Sequence, residues 1–197
     1  MKIHPLSFNL PDFDRNAAII GKLPTHALPP GTSDLLSFWK ESILQNDVLK
    51  QSCVYTESLP VEKENDGIGD YMLRYFDSLV KQPERQKMRT IIGIENLDTV
   101  DSHILINLIA EARNFNATVL LFIPEINKLS PDLEMALFGN VGLIIVGQLT
   151  NEDKALLQQP QHQYFGAFTE SVINLPDEDY CVKRKMEPPV IYHGTQK

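Results

Sequence analysis

Two short groups near the amino terminus have the residue types of a phosphate-binding loop. Gly21-Lys22 ends an apolar run, and Gly31-Thr32-Ser33 opens a stretch with helical periodicity. In a working phosphate loop, backbone N–H groups and a helix N-terminus face the phosphates, a lysine adds charge and a hydroxyl group holds magnesium. Here the proline-rich residues 23–30 separate the lysine from the hydroxyl groups. The alternative is an ordinary strand-to-helix loop in which Thr32 or Ser33 caps the helix.

The second candidate position is Glu95-Asn96, which ends the apolar run of residues 90–94. In nucleoside triphosphatases, acidic residues at such a strand end orient magnesium and the attacking water. Glu95 could approach a metal through water, or it could be a plain turn carboxylate. Asn96 is neutral and cannot act as a general base. We therefore expect no hydrolysis and assign no catalytic residue.

The remaining reactive residues are scattered. Arg113 ends a predicted helix, where it could reach a neighbouring subunit's phosphates or stabilise the helix C-terminus by its charge. Cys53 and Cys181 each lie in an apolar run, which is typical of buried, reduced thiols. The histidines show no spacing typical of a metal or triad site: His4, His26, His103, His162 and His193. We expect neither a metal nor a cofactor.

Five apolar runs alternate with helical patterns and must position these residues. The runs are centred on Ala17, Cys53, Ile91, Val119 and Leu143, and the first three helices are predicted at 31–45, 68–82 and 102–115. Strands that are apolar throughout, separated by amphipathic helices, predict a doubly wound α/β domain with a five-stranded parallel sheet covered on both faces. We expect residues 91–94 to form the central strand. Ligands in such sheets bind at the carboxyl ends of strands, which here are Glu95-Asn96, Pro124-Glu125 and Gly147-Gln148.

Helix boundaries are marked by capping residues in the second half of the chain. Ser130-Pro131 predicts an N-cap followed by proline in the first helical turn. Gly139 is a plausible end for that helix. Thr150 precedes acidic residues and predicts the start of the next helix.

The carboxyl-terminal part departs from the alternating pattern. We expect a single domain over residues 1–197, with an extended arm at 1–15 and a β tail at 168–197. Residues 171–174 and 180–183 are predicted as two short strands at a sheet edge. The basic cluster Lys183-Arg184-Lys185 follows them. It could orient an acidic protein partner, or it could simply keep the edge soluble.

Composition limits the classes of function. The chain of 197 residues has a net charge of -8, and 43% of its residues are hydrophobic. The charge argues against a direct nucleic-acid binder, which would normally have a basic face. No apolar stretch approaches the roughly 20 residues that cross a membrane. Residues 1–9 also lack the pattern of a signal peptide, so we expect a cytoplasmic protein without membrane insertion.

From residue 89 onward the chain resembles the RecA-like motor domain of type IV coupling proteins and related DNA-translocating ATPases. The matching segments are Ile94-Glu95-Asn96, Glu111-Ala112-Arg113, Leu121-Phe122-Ile123-Pro124, Gly139-Asn140-Val141, Thr150-Asn151-Glu152-Asp153, Asn174-Leu175-Pro176 and Glu187-Pro188-Pro189. The resemblance implies a RecA-like, P-loop NTPase-type core. It also implies loss of activity, because Asn96 stands where the family has its catalytic glutamate. Pro124 stands where the family has the glutamine that senses the γ-phosphate.

These features lead to the hypothesis of a non-catalytic, P-loop-derived adaptor. It would bind protein partners within a larger bacterial machine for conjugation, type IV secretion or DNA processing. The alternatives are a nucleoside triphosphatase with an unusual phosphate loop and a nucleotide-sensing module without turnover. The remnants of a nucleotide site would be Gly21, Lys22, Gly31, Thr32, Ser33, Glu95, Asn96 and Arg113.

Overall fold

The computed structural model describes residues 15–27, 53–56, 89–94, 97, 101–185 and 187–194. Several sequence predictions fall outside these ranges. They are the candidate groups Gly31-Thr32-Ser33 and Glu95-Asn96, the helices at 31–45 and 68–82, and most of the amino-terminal arm.

The described residues form a seven-stranded sheet. Its strands are β1 (Asn16–Ile20), β2 (Cys53–Thr56), β3 (Arg89–Ile94), β4 (Ala117–Ile123), β5 (Val141–Val146), β6 (Tyr180–Arg184) and β7 (Val190–Tyr192). Their order across the sheet is β2-β3-β4-β1-β5-β6-β7. Strands β1 to β5 pair in parallel, which confirms the predicted five-stranded core, and β6 and β7 add to it in antiparallel fashion.

The prediction that residues 91–94 form the central strand is wrong. They belong to β3, which lies between β2 and β4, whereas β1 occupies the middle of the described sheet. All the core runs are similarly apolar, so composition does not rank them. The position of β1 arises because the connection from β4 to β5 passes over it.

Four α-helices follow the strands in the described part of the chain. They are α1 (Ser102–Glu111), α2 (Pro131–Asn140), α3 (Asn151–Leu157) and α4 (Thr169–Ile173). Shorter 3-10 turns lie at Thr25–Ala27, Ala112–Phe115, Ile126–Lys128, Pro160–His162 and Gly166–Phe168. The predicted N-cap at Ser130 is present, since its side chain accepts a hydrogen bond from Leu133 N. The predicted helix start at Thr150 is also confirmed, and the Thr150 side chain caps α3 by accepting a hydrogen bond from Asp153 N. Gly139 does not end α2, which runs one residue further and leads directly into β5.

The core sheet is buried on both faces, as predicted. On one face Leu105, Ile109 and Leu137 of the helices cluster with strand residues such as Ile20 and Leu121. The opposite face carries a second set of buried side chains, including Ile19, Ile91, Leu120, Phe122, Ile145 and Val182. Burial on both faces is why the strands read as continuous apolar runs.

Asn16 anchors the beginning of β1 in this core. Its side-chain amide donates a hydrogen bond of 2.7 Å to Ile109 O in the last turn of α1. Its side-chain oxygen accepts a bond of 3.0 Å from Val119 N in β4. One buried side chain therefore joins three elements.

The carboxyl-terminal part differs from the predicted β tail. Residues 171–173 lie in α4 and Asn174 caps it, because helical geometry turns Val172 and Ile173 into the core. The two strands that pair at this end of the chain are β6 and β7, which form an antiparallel hairpin. Strand β6 is flanked by β5 and β7, so it is an interior strand and not the predicted edge.

Candidate functional site

The carboxyl ends of β1, β4 and β5 meet at one edge of the sheet, where ligands bind in folds of this class. Gly21 follows β1 and has a φ of 71°, in the left-handed region that favours glycine. Its N–H donates a hydrogen bond of 2.8 Å to Ile123 O at the end of β4. On the other side, Gly147 N donates a bond of 2.9 Å to Ile20 O.

Lys22 forms an isolated antiparallel bridge with Gln148 just beyond the end of β1. Its N–H donates to Gln148 O at 3.0 Å, and Gln148 N donates back to Lys22 O at 2.8 Å. Two glycines allow this close approach. A Cβ at Gly21 would lie 2.4 Å from Gln148 O, and a Cβ at Gly147 would lie 2.2 Å from Lys22 O. The N–H groups of Gly21 and Lys22 are thus engaged by neighbouring strands and do not form a phosphate cradle.

A cavity of about 540 Å³ opens at the same edge. Its apolar lining consists of Ile19, Phe122, Ile123, Pro124 and Leu149, and its polar lining consists of Lys22, Glu125, Gln148 and Thr150, together with Gly21. The volume lies within the range of about 300 to 1,000 Å³ of small-molecule sites. The Lys22 side chain is exposed at this edge. The half-buried Glu125 is paired with Lys128, whose Nζ lies 2.7 Å from Glu125 Oε1.

Asp153 holds the loops on one side of the cavity together. Its carboxylate is buried, and its Oδ1 accepts a hydrogen bond of 2.9 Å from Asn127 N in the loop after β4. Its N–H donates at 3.1 Å to Thr150 Oγ1, which lines the cavity. Its second carboxylate oxygen, Oδ2, is buried without a hydrogen-bond partner. The loop after β4 is therefore joined to the start of α3.

The structure brings together only part of the proposed nucleotide site. Gly21 and Lys22 lie at the cavity. Arg113 is exposed in the 3-10 turn just before β4, at the amino ends of the strands and therefore at the opposite edge from the cavity. The other members are outside the described residues: Gly31, Thr32, Ser33, Glu95 and Asn96.

The basic cluster is divided by the geometry of β6. Successive strand residues point to opposite faces, so Lys183 and Arg184 face different sides of the sheet. Lys183 is half-buried and its Nζ donates to Tyr164 O at 3.5 Å. Arg184 is also half-buried, whereas Lys185 is exposed just after the strand. The three residues do not form a single patch on one face.

Sequence spacing did not reveal two histidine–carboxylate pairs. His162 Nδ1 lies 2.7 Å from Oε1 of the buried Glu134, and Tyr164 also donates its hydroxyl to that oxygen. Burial and this hydrogen bond raise the pKa of Tyr164 above its ordinary value. His193 Nδ1 lies 2.7 Å from Oδ2 of Asp179. No sequence signal identifies these pairs, because their members come from different elements.

Among the residues that the structure describes, none of the helices combines the length and the apolar character of a membrane span. Among the same residues, no group of three or more histidine, cysteine or acidic side chains is placed to hold a metal ion. The thiol of Cys181 is buried and free, and burial raises its pKa to about 11, with Lys183 acting in the opposite direction.

Solved structures of ATPases are similar to this chain in fold. The DNA-packaging ATPase B204 from Sulfolobus Turreted Icosahedral Virus matches with a TM-score of 0.58 and 12% identity, over 94% of this chain and 100% of that one. EssC (ATPases 2 and 3) from Geobacillus thermodenitrificans matches with a TM-score of 0.55 and 11% identity, over 93% and 40% of the two chains. The domain has a RecA-like α/β core.

A third similar structure is the pCW3 conjugation coupling protein TcpA. It matches with a TM-score of 0.50 and 14% identity, over 92% of this chain and 60% of that one. No model of a known protein family matches the sequence, and neither does any curated protein. At identities this low, the likeness establishes the RecA-like fold and no activity.

Proposed function

We propose that this RecA-like domain is a non-hydrolysing adaptor that binds protein partners in a larger cytoplasmic machine. The similar structures include a DNA-packaging ATPase and a conjugation coupling protein, which supports a machine for conjugation, type IV secretion or DNA processing. The proposed role of the domain is to supply a rigid scaffold within that machine. The proposal assigns it no turnover of nucleotide.

The observation that carries the proposal is the backbone pairing at the end of β1. A phosphate loop needs N–H groups that face the ligand. Here Gly21 N and Lys22 N donate to Ile123 O and Gln148 O instead. Lys22 is therefore held by an isolated bridge at the strand end, and its position in the chain is not that of the lysine in a phosphate loop.

Two further residues support the loss of hydrolysis. Pro124 directly follows β4 at the cavity, and proline has neither an N–H nor a side-chain amide with which to sense a phosphate. Asn96 stands where the family that the sequence resembles has its catalytic glutamate. A neutral amide cannot take a proton from the attacking water.

Phosphate release by the intact chain tests this proposal. We expect no steady hydrolysis of Mg-ATP or Mg-GTP above a protein-free blank. The matched control is the Glu95→Gln variant, purified in the same way, which separates turnover by this protein from turnover by a contaminant. Steady turnover by the wild type that disappears in Glu95→Gln would show that the domain is an active nucleoside triphosphatase.

The cavity favours a second candidate, a nucleotide-sensing module without turnover. Its volume of about 540 Å³ and the exposed Lys22 beside it could accommodate a phosphate-bearing ligand. A ligand whose free concentration is about 100 times its Kd stabilises the native state by roughly 2.7 kcal/mol. For a chain of this size, that corresponds to a rise in Tm of roughly 5 to 10 °C.

A thermal-unfolding series with Mg-ATP, Mg-ADP and AMP separates the two candidates. The sensing module predicts a dose-dependent rise in Tm that is reduced in Lys22→Met. The pure adaptor predicts equal Tm values with and without nucleotide in both proteins.

The partner surface is proposed to include Lys183, Arg184 and Lys185. The chain has a net charge of -8, so these residues would provide local positive charge for an acidic protein. Truncation after Pro176 is a poor test, because it removes the buried Tyr180, which β6 contributes to the core. Charge reversal at Lys185 is the cleaner test, since that side chain is exposed. Partner recovery that is unchanged in Lys185→Glu and Arg184→Glu would remove Arg184 and Lys185 from the proposed surface.

A further inference from the structure

The turn of residues 175–179 touches both the cavity rim and the carboxyl-terminal hairpin. Gln148 lines the cavity, and its side-chain Nε2 donates a hydrogen bond of 2.7 Å to Asp177 Oδ1. The backbone of the same glutamine exchanges two hydrogen bonds with Lys22. Gln148 therefore joins the end of β1 to the turn before β6.

The turn also holds the segment that follows β7. Asp179 is only 7% exposed, and its two carboxylate oxygens have different partners. Oδ2 lies 2.7 Å from His193 Nδ1, and Oδ1 accepts a bond of 3.1 Å from Gly194 N. The turn is closed by a bond of 2.9 Å from Asp179 N to Pro176 O. The two ends of the hairpin are thus tied to one short turn.

A second contact leads from the tail to the loop after β1. His26 lies in the 3-10 turn Thr25–Ala27, and its ring centroid is 6.4 Å from that of the buried Tyr180 in β6. A Cβ placed on Gly194 would lie 3.0 Å from His26 Cε1 and 2.7 Å from Glu178 O. The absence of a side chain at Gly194 lets the tail pack directly beside the His26 ring.

The imidazole of His26 has one buried nitrogen, Nε2, that makes no hydrogen bond. The His26 side chain is thus positioned on this side by packing against the tail. Displacement of the tail would remove that packing and change the environment of the loop after β1.

We propose that Asp177, Asp179, His193 and Gly194 form a tail clamp that couples the end of β1 to the carboxyl-terminal hairpin. Loosening the clamp frees Lys22 and the loop after β1, and disturbance of the cavity rim loosens the hairpin. The coupling is reciprocal, because each end changes the stability of the other by the same free energy. A partner that binds the hairpin would thereby alter the cavity. The coupling depends only on contacts within the chain, so it needs no bound ligand and does not rest on the proposed absence of hydrolysis.

Hydrogen exchange of the intact chain, followed by mass spectrometry, tests the coupling. In Asp177→Ala we expect amide exchange in residues 15–27 and 147–150 to be about twofold faster, because the bond that is lost lies at an exposed position. Gln148→Ala should give faster exchange in residues 175–185 and 187–194. The double variant Asp177→Ala/Gln148→Ala should exchange no faster than the faster of the two single variants, because both substitutions remove the same hydrogen bond. The matched control is Glu178→Ala, an exposed acidic neighbour in the same turn, which should leave all these segments unchanged.

Gly194→Ala tests the packing of the tail beside His26 and leaves the hydrogen bond between Gln148 and Asp177 intact. Its new methyl group must displace Glu178 O or His26, so exchange should rise in residues 22–27. The clamp is refuted if Asp177→Ala matches Glu178→Ala in residues 15–27, or if the Asp177 and Gln148 effects add. A rise of equal size in α2 would also refute it, because that outcome marks a general loss of stability.

Discussion

Replacement of Asn16 by alanine should destabilise the whole sheet, although the side chain is small. Asn16 is only 5% exposed and makes two buried hydrogen bonds, of 2.7 Å to Ile109 O and 3.0 Å from Val119 N. Alanine can make neither bond. The carbonyl of Ile109 and the amide of Val119 would then be buried without these partners.

The expected loss of stability follows from the cost of leaving two backbone groups, Ile109 O and Val119 N, without their hydrogen-bond partners. Each buried, unsatisfied donor or acceptor costs roughly 1 to 3 kcal/mol. We expect Asn16→Ala to lower the free energy of unfolding by about 2 to 4 kcal/mol, with some relief where water enters the vacated space. That is a large share of the roughly 5 to 15 kcal/mol that holds a typical domain together. The Tm should fall by roughly 5 to 15 °C.

The assay is urea unfolding followed by circular dichroism, with thermal unfolding as a second measurement. The matched control is Asn140→Ala, because Asn140 Nδ2 also donates to a backbone carbonyl, Ala136 O at 2.8 Å, but on an exposed surface. That variant should change stability by no more than about 0.5 kcal/mol. If Asn16→Ala costs no more than Asn140→Ala, then Asn16 does not anchor the beginning of β1 as argued.

Further outcomes are expected for Gly21, Cys181 and Thr150. Gly21→Ala should lower the free energy of unfolding by at least about 2 kcal/mol, because residue 21 has a left-handed φ and the added Cβ would lie 2.4 Å from Gln148 O. The control is Gly139→Ala, whose added Cβ meets no atom within 4 Å. In urea unfolding this variant should be neutral or stabilising. Cys181 should resist a thiol reagent at pH 8 until urea is added, because burial raises its pKa to about 11. Peptide mapping identifies the labelled cysteine. Rapid labelling of Cys181 in the native protein would contradict this prediction. Since the raised pKa keeps the folded thiol protonated, its contribution to stability should decline as the pH rises from about 9 to about 11. Thr150→Ala should cost about 0.5 to 2 kcal/mol through loss of a helix cap, whereas Thr150→Ser should preserve stability in thermal unfolding.

Local patterns identified the five core strands and the starts of α1, α2 and α3 correctly. Residues that cap helices act on N–H groups two or three positions away, so Ser130 and Thr150 were recognisable without knowledge of the fold. The apolar runs that became β1, β4 and β5 were likewise recognisable, because a strand buried on both faces must be apolar throughout.

The same local patterns failed for residues 171–174. Val172 and Ile173 favour strands by their branched side chains, but in α4 they are buried against other helices and strands. Tertiary burial outweighs intrinsic preference in so short a segment. The proposed edge at residues 180–183 failed for a similar reason, since residues 190–192 pair with it and make it an interior strand.

The sequence by itself determined the class of the fold, the parallel core and the position of Gly21 and Lys22 at the end of the first strand. Only the tertiary structure decided how that strand end is used. The bridge between Lys22 and Gln148, the bond from Gln148 to Asp177 and the pairing of Glu134 with His162 join residues far apart in the chain. Local periodicity reports which face of an element is buried, but it carries no information about which distant backbone or side-chain groups will meet. Those meetings depend on strand order and on crossover connections, which arise only when the whole sheet assembles.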